Sequence, residues 1–212
     1  MSALSGPRRP PATGGAPDCI IVFLHGYGAN GEDLLSLSDM FSLVLPGALF
    51  VAPDAPQEMG MGGRAWFPLT MRDPSEYARG VAAAGPALER GIEDELDRHG
   101  LPEHRLALIG FSQGTMMALH VAYRLRAPVA GVVGFSGLCA GADDGLKAAP
   151  TLLVHGTGDQ VVPAMLTLEA AQTLAGKGIP VEWHLIAGLG HGIDETGISM
   201  AVSHVAQCLK GR

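Results

Sequence analysis

Residues Gly110-Phe111-Ser112-Gln113-Gly114 set a serine between two glycines. An apolar run from Leu106 to Phe111 ends beside the serine, and a stretch rich in Ala, Leu and Met begins just after it. A hydroxyl held at a sharp strand-to-helix turn is pushed out of the sheet, and small residues are needed where the chain doubles back. The pattern nominates Ser112 as a nucleophile. With 30 glycines in the chain, about 0.2 matches to Gly-x-Ser-x-Gly are expected by chance, so the strand-to-helix context carries the weight. The plain alternative is an ordinary glycine-rich turn.

A serine hydroxyl is too weakly acidic to attack a carbonyl at neutral pH, so it needs a base within hydrogen-bond reach. Eight histidines compete for that role. His99, His104, His120 and His204 fall on or beside helical patterns and His184 lies inside a strand pattern, which points to structural or solvated roles. His25 and His155 each precede a glycine at a strand end, earlier in the chain than the candidate acid. His191 sits in the Gly-rich segment Gly188-Leu189-Gly190-His191-Gly192 just before the last helix, with room to reach Ser112, and is the expected base. Asp159, in His155-Gly156-Thr157-Gly158-Asp159, is the expected acid that orients the imidazole. Its plain alternative is a turn residue or helix N-cap before Val161-Val162-Pro163. Asp54, Asp143 and Asp144 compete with it, whereas Asp194 reads as the N-cap of the last helix.

An oxyanion formed on attack needs two pre-aimed N–H donors. One is expected from the backbone of Gln113, at the helix N-terminus. The other is expected from the loop His25-Gly26-Tyr27-Gly28-Ala29-Asn30-Gly31, at the backbone of Tyr27. That loop is glycine-rich enough to suggest a phosphate cradle, but it lacks the Lys-Ser/Thr ending of a P-loop and the spacing of a dinucleotide fingerprint.

These residues need a scaffold that brings strand ends together. From Cys19 onward short apolar runs alternate with helix-like segments, as in a mostly parallel sheet covered by helices on both faces. The expected strands are Cys19 to Leu24, Leu49 to Ala52, Leu106 to Phe111, Val129 to Phe135, Thr151 to Val154 and Val181 to Ile186. Most are continuously apolar, as strands buried on both faces should be. The expected helices are Glu32 to Phe41, Ser75 to His99 with a kink or break at Gly85-Pro86, Gln113 to Arg124, Pro163 to Ala175 and Asp194 to Leu209. The irregular stretch Pro53 to Pro74 is long enough to be functional or mobile. Ligands in such sheets collect at the carboxyl ends of the strands, where the candidates stand.

Composition bounds the rest. A chain of 212 residues, 47% hydrophobic and 17% charged, suits one globular α/β domain, expected over residues 19–212. Residues 1–18, dense in Pro, Gly and Ala, read as a flexible leader. The net charge of −7 leaves no basic field for nucleic acid or anionic lipid. Three scattered cysteines fit buried thiols in a reducing cytoplasm, and no apolar run reaches the ~18 residues of a membrane span. The expected location is cytoplasmic, without membrane insertion; a homodimer is left open.

Serine, aspartate and histidine occur here in the chain order of the α/β-hydrolases, unlike the orders on the trypsin and subtilisin folds. The segments LHGYGANGEDL, APDAP, RAWFPL, GFSQGTMMAL, HGTGDQVVP and GLGHGI together resemble the phospholipase/carboxylesterase family, relatives of the acyl-protein thioesterases and lysophospholipases. The similarity runs from about Cys19 to the C-terminus. It implies an α/β-hydrolase fold without a large cap domain, no cofactor and no metal, and Ser112, Asp159 and His191 as the triad. It also implies oxyanion donors at Tyr27 and Gln113 and an acyl pocket bordered by the loop containing Trp66. Met61, Trp66 and Phe67 are the expected substrate-binding residues, with core packing the alternative for Trp66. Tyr27 stands where eukaryotic thioesterases have leucine, and Pro68 where many members carry aspartate, which weighs against protein deacylation. The expected activity is a serine carboxylesterase acting on short-to-medium acyl chains of a small-molecule ester. Lysophospholipase or acyl-protein thioesterase is the alternative, and an inactive hydrolase fold used as a binding module a more distant one.

Overall fold

The computed structural model describes residues 4–70, 73, 75–141 and 146–211; the competing acids Asp143 and Asp144 lie outside them. In chain order the elements are β1 (Arg8–Arg9), β2 (Cys19–Leu24), α1 (Gly31–Leu35), α2 (Ser38–Val44), β3 (Ala48–Val51), β4 (Gln57–Glu58), β5 (Arg64–Ala65), α3 (Ser75–His99), β6 (Leu106–Phe111), α4 (Gln113–Ala122), β7 (Gly131–Phe135), β8 (Thr151–Gly156), α5 (Met165–Gly176), β9 (Val181–Ile186) and α6 (Glu195–Lys210). Seven strands form one sheet in the order β1-β3-β2-β6-β7-β8-β9, and β4 and β5 form a separate small hairpin. Every pairing in the large sheet is parallel except the β1 edge. This is the α/β-hydrolase fold expected from the sequence, with no large cap among the described residues.

The continuous apolar strands are explained by two cores. On β2, Ile20, Val22 and Leu24 face the cluster built with α3, α4 and α5, while Cys19, Ile21 and Phe23 face the one built with α1, α2 and α6. Successive side chains leave opposite faces of a strand, so a strand covered on both sides must be apolar at every position. β9 is the exception: at the sheet edge its pattern is half exposed, with Trp183 and Leu185 partly in solvent.

Four expectations are corrected. Residues 4–9 do not form part of a loose leader: Leu4 is buried, Arg8 and Arg9 pair antiparallel with Val51 and Phe50, and Arg8 bridges to the buried Glu95 at 3.0 Å. The expected helix from Glu32 to Phe41 is two helices, the first capped by a reciprocal box between Asn30 and Asp33. Of the kink or break expected at Gly85-Pro86, the break is absent: one helix covers Ser75–His99 with Pro86 inside it. Gly85 lets it approach α4, since a Cβ there would lie 2.7 Å from the His120 ring. The stretch from Pro53 carries the β4–β5 hairpin, tied to the loop after β2 by Gly28 N–H to Arg64 O and Arg64 N–H to Ala29 O, each 2.8 Å. No helix among the described residues is long and apolar enough to cross a membrane.

Candidate active site

Ser112 stands between β6 and α4 with φ 54° and ψ −116°, a left-handed conformation that L residues rarely hold without support. Its N–H donates to Phe135 O at 2.9 Å, tying the turn to β7. The flanking glycines are obligatory. A Cβ on Gly114 would lie 1.8 Å from Leu24 O, and one on Gly110 would lie 2.3 Å from Gly114 O. The Ser112 hydroxyl makes no capping bond to α4. Ser112 instead lines a cavity of about 280 Å³ together with Tyr27, Leu69, Tyr77, Gln113, Met116, Val161, Val162 and His191.

His191 enters from the β9–α6 loop. Its Nδ1 donates to Asp159 Oδ2 at 2.7 Å, and its ring packs on Phe111 with centroids 4.9 Å apart. With the proton on Nδ1, Nε2 is left as the acceptor. Asp159 makes the contacts of both of its sequence readings, one set with each oxygen. Oδ1 accepts the N–H groups of Val161 and Val162 at 2.8 and 2.9 Å, closing the turn, while Oδ2 receives His191. Burial pushes this carboxyl up, but the hydrogen bonds from His191, Val162 and Val161 outweigh it and hold the group below its ordinary range. The two loops are laced together by Gly158 N–H to Leu189 O and Gly188 N–H to Thr157 Oγ1, both 2.9 Å.

The rival histidines at strand ends are fully buried and occupied. His25 Nδ1 donates to Gly26 O at 2.8 Å and its Nε2 accepts the Ala55 N–H at 3.0 Å. His155 lies between Thr167 and Val162 O. Asp54 accepts the Gly31 N–H at 3.0 Å and Asp194 caps α6 through Gly197, so neither contacts His191. Among the described residues, the N–H groups of Tyr27 and Gln113 donate to no protein acceptor. Gln113 is the first residue of α4, where such groups have no partner within the helix.

The expected substrate residues fall elsewhere. Met61 is fully exposed between β4 and β5, with φ 46°. Trp66 and Phe67 are 4% and 2% exposed and belong to the core. The Trp66 indole donates to His25 O at 2.8 Å, and both side chains border a different cavity, of about 510 Å³, against α3. Indole and phenyl rings gain most by burial when the indole N–H finds a partner inside, which His25 O supplies. The walls beside Ser112 come instead from Leu69, Tyr77, Met116, Val161 and Val162. Leu69 closes the RAWFPL segment of the loop that the resemblance sets at the acyl pocket, and Val161 and Val162 follow Asp159, whereas no sequence signal marked Tyr77.

The side chain of Gln113 also escaped the sequence. Buried to 1% exposure, it accepts the Trp66 N–H on Oε1 at 2.9 Å and donates from Nε2 to Phe67 O at 2.8 Å. One amide thus clamps the residue after the nucleophile to the 66–67 backbone.

Known proteins resemble this chain over most of its length. Esterase YpfH of Escherichia coli (strain K12) is 28% identical over 189 residues, 88% of this chain and 81% of that protein. Acyl-protein thioesterase 1 of Yarrowia lipolytica is 27% identical over 209 residues, covering 90% and 92%. The crystal structure of esterase PE8 superposes with a TM-score of 0.90 at 34% identity, over 98% of this chain and all of that one. Residues 12–209 match the phospholipase/carboxylesterase family, so the chain, with its elbow serine and histidine–aspartate pair on an α/β-hydrolase sheet, belongs to that family of hydrolases.

Proposed function

We propose that the protein is a serine carboxylesterase for esters of short-to-medium acyl chains. The observation that carries this is the 2.7 Å His191–Asp159 hydrogen bond behind a cavity that His191 shares with the elbow serine. Ser112 Oγ attacks the ester carbonyl and gives its proton to His191 Nε2. The imidazolium is stabilised by Asp159 while the tetrahedral oxyanion is held by the N–H groups of Tyr27 and Gln113. Collapse breaks the bond to the alcohol, which leaves with the proton from His191. Water, deprotonated by the same imidazole, then attacks the acyl-enzyme, releasing the acid and restoring Ser112.

The cavity supports the chain-length reading. About 280 Å³ lies just under the ~300–1,000 Å³ of sites that enclose drug-sized ligands, and its walls are mostly apolar. A p-nitrophenyl ester series, with a lysophospholipid and a palmitoyl-thioester peptide alongside, tests it. Highest kcat/KM at short-to-medium chains is expected; preference for either long-chain substrate would replace the assignment by a lysophospholipase or thioesterase. Labelling by a serine-directed fluorophosphonate, lost in Ser112→Ala, is expected as well, and absence of labelling in the native protein would point to an inactive binding module.

A further inference from the structure

Asp159 does not face His191 alone. The oxygen that receives His191 Nδ1 at 2.7 Å also lies 3.0 Å from Nε2 of His155, and the side chains of His155 and Asp159 are both wholly shielded from solvent. The protonation of His155 follows from its partners. Nε2 meets only acceptors, Val162 O at 2.8 Å and the carboxylate, so Nε2 carries the proton. Nδ1 lies 2.7 Å from the Thr167 hydroxyl, whose other contact, to Gly137 O, is longer at 3.3 Å. The hydroxyl therefore donates to Nδ1, and α5 holds His155 with its Nε2–H bonded to Val162 O and lying 3.0 Å from Asp159 Oδ2.

We propose that His155, backed by Thr167, is a positioning residue that fixes Asp159 Oδ2 and tempers its basicity toward His191. The proposal rests on the serine esterase reading above. A buried histidine with both nitrogens satisfied is ordinarily a core residue; what distinguishes His155 is that it shares the very oxygen on which His191 depends. Backbone N–H groups anchor Oδ1, while the Nε2–H edge of His155, bonded to Val162 O, abuts Oδ2, so the carboxylate is confined at both ends. Each donor on Oδ2 also draws charge away from the imidazolium that forms during turnover. Among the described residues, the titratable groups against this carboxylate are these two histidines, from β8 and the β9–α6 loop.

The test measures kcat, KM and the pH profile of kcat/KM on one short-chain p-nitrophenyl ester for His155→Met, His155→Gln and Thr167→Val, with circular dichroism and melting temperature for each. Methionine fills similar volume without a donor, while glutamine carries an N–H at about the reach of imidazole Nε2. His155→Met is expected to lower kcat about 10- to 100-fold, the scale of a small misplacement of a catalytic group, with KM within about twofold. Its acid limb should move up by roughly half a pH unit, because a carboxylate that has lost a donor holds the imidazolium more firmly. His155→Gln should recover most of kcat and return the limb toward its native position. Thr167→Val, with both histidines present, should move kcat and the limb the same way by less, and it decides the matter together with His155→Gln if the methionine variant does not fold. Variants that melt lower but keep native kcat and an unmoved limb would make His155 a packing residue only. So would a glutamine variant no better than methionine with the limb unmoved. Ser112→Ala separates the two levels: turnover surviving in it overturns the esterase reading itself. An inactive Ser112→Ala beside a silent His155 series overturns only the role of His155.

Discussion

Gln113 joins the backbone at the nucleophile to the 66–67 strand exit, and two substitutions take its two functions apart. Gln113→Ala keeps the backbone N–H proposed for the oxyanion but removes the amide that satisfies Trp66 N–H and Phe67 O. Both residues are nearly inaccessible, so water cannot replace the lost partner without the segment moving. A buried polar group left unpaired costs about 1–3 kcal/mol, so the pair should cost about 2–6 kcal/mol, a large share of the ~5–15 kcal/mol of a typical domain. Turnover of the folded fraction should fall by less than the ~10²–10³ typical of losing one oxyanion donor. Gln113→Glu keeps an acceptor for Trp66 N–H but sets an anionic oxygen against Phe67 O, so it should be worse than alanine at neutral pH. It should recover as the pH falls and the carboxyl regains a proton to donate. Urea denaturation at several pH values gives the stability, and kcat on a short-chain ester gives the turnover. A Gln113→Ala loss below about 0.5 kcal/mol, or a thousandfold fall in kcat at native stability, would show that the side chain acts on substrate and is not a clamp.

Three further outcomes are expected. Asp159→Asn should lower kcat about 10⁴-fold, as when the orienting acid of a serine protease triad is neutralised. Because the Asp159 carboxyl is held below its ordinary range, its stabilisation is present above the unfolded value of about 3.9 and is lost as pH falls through the lower native one. The stability gap between wild type and Asp159→Asn in urea should therefore close on acidification, and a gap that widens would contradict the sign. Tyr27→Ala keeps its N–H and should cost much less kcat than Tyr27→Pro, which removes it; equal damage from both would shift the role to the phenol. Leu69→Ala and Val162→Ala, on the wall beside Ser112, should alter the chain-length profile severalfold, whereas Met61→Ala should leave KM within about twofold. A strong KM effect at Met61 would place the acyl group on the hairpin instead.

What the sequence determined by itself was what depends on near neighbours along the chain. β2 and β6 begin and end at the expected residues, as does α3, because parallel strands buried on both faces leave an unbroken apolar run and a helix leaves its own period. The elbow was legible because Gly110 answers a demand of the turn itself, set by Gly114 four residues on, although the demand on Gly114 comes from Leu24 of β2 across the sheet. Only the tertiary structure decided which histidine meets which acid. His25, His155 and His191 all stand beside glycines at or after a strand end, and what separates them is the hydrogen bonds each ring finds: His25 with Ala55 N–H, His155 with Thr167 and Val162 O, and His191 with Asp159. Trp66 and Met61 looked alike as apolar residues of one loop, yet the free carbonyl of His25 takes the indole inward and leaves Met61 in solvent. The residues before β2 looked like a leader because Pro and Gly dominate locally, while the open edge of β3 and the buried charge of Glu95 lie 40 and more residues away and recruit Arg8 and Arg9 nonetheless. Composition and period record what a segment can form. Burial, and with it the pairing of each buried polar group, is set by segments far apart in the chain that share one unfilled donor or acceptor.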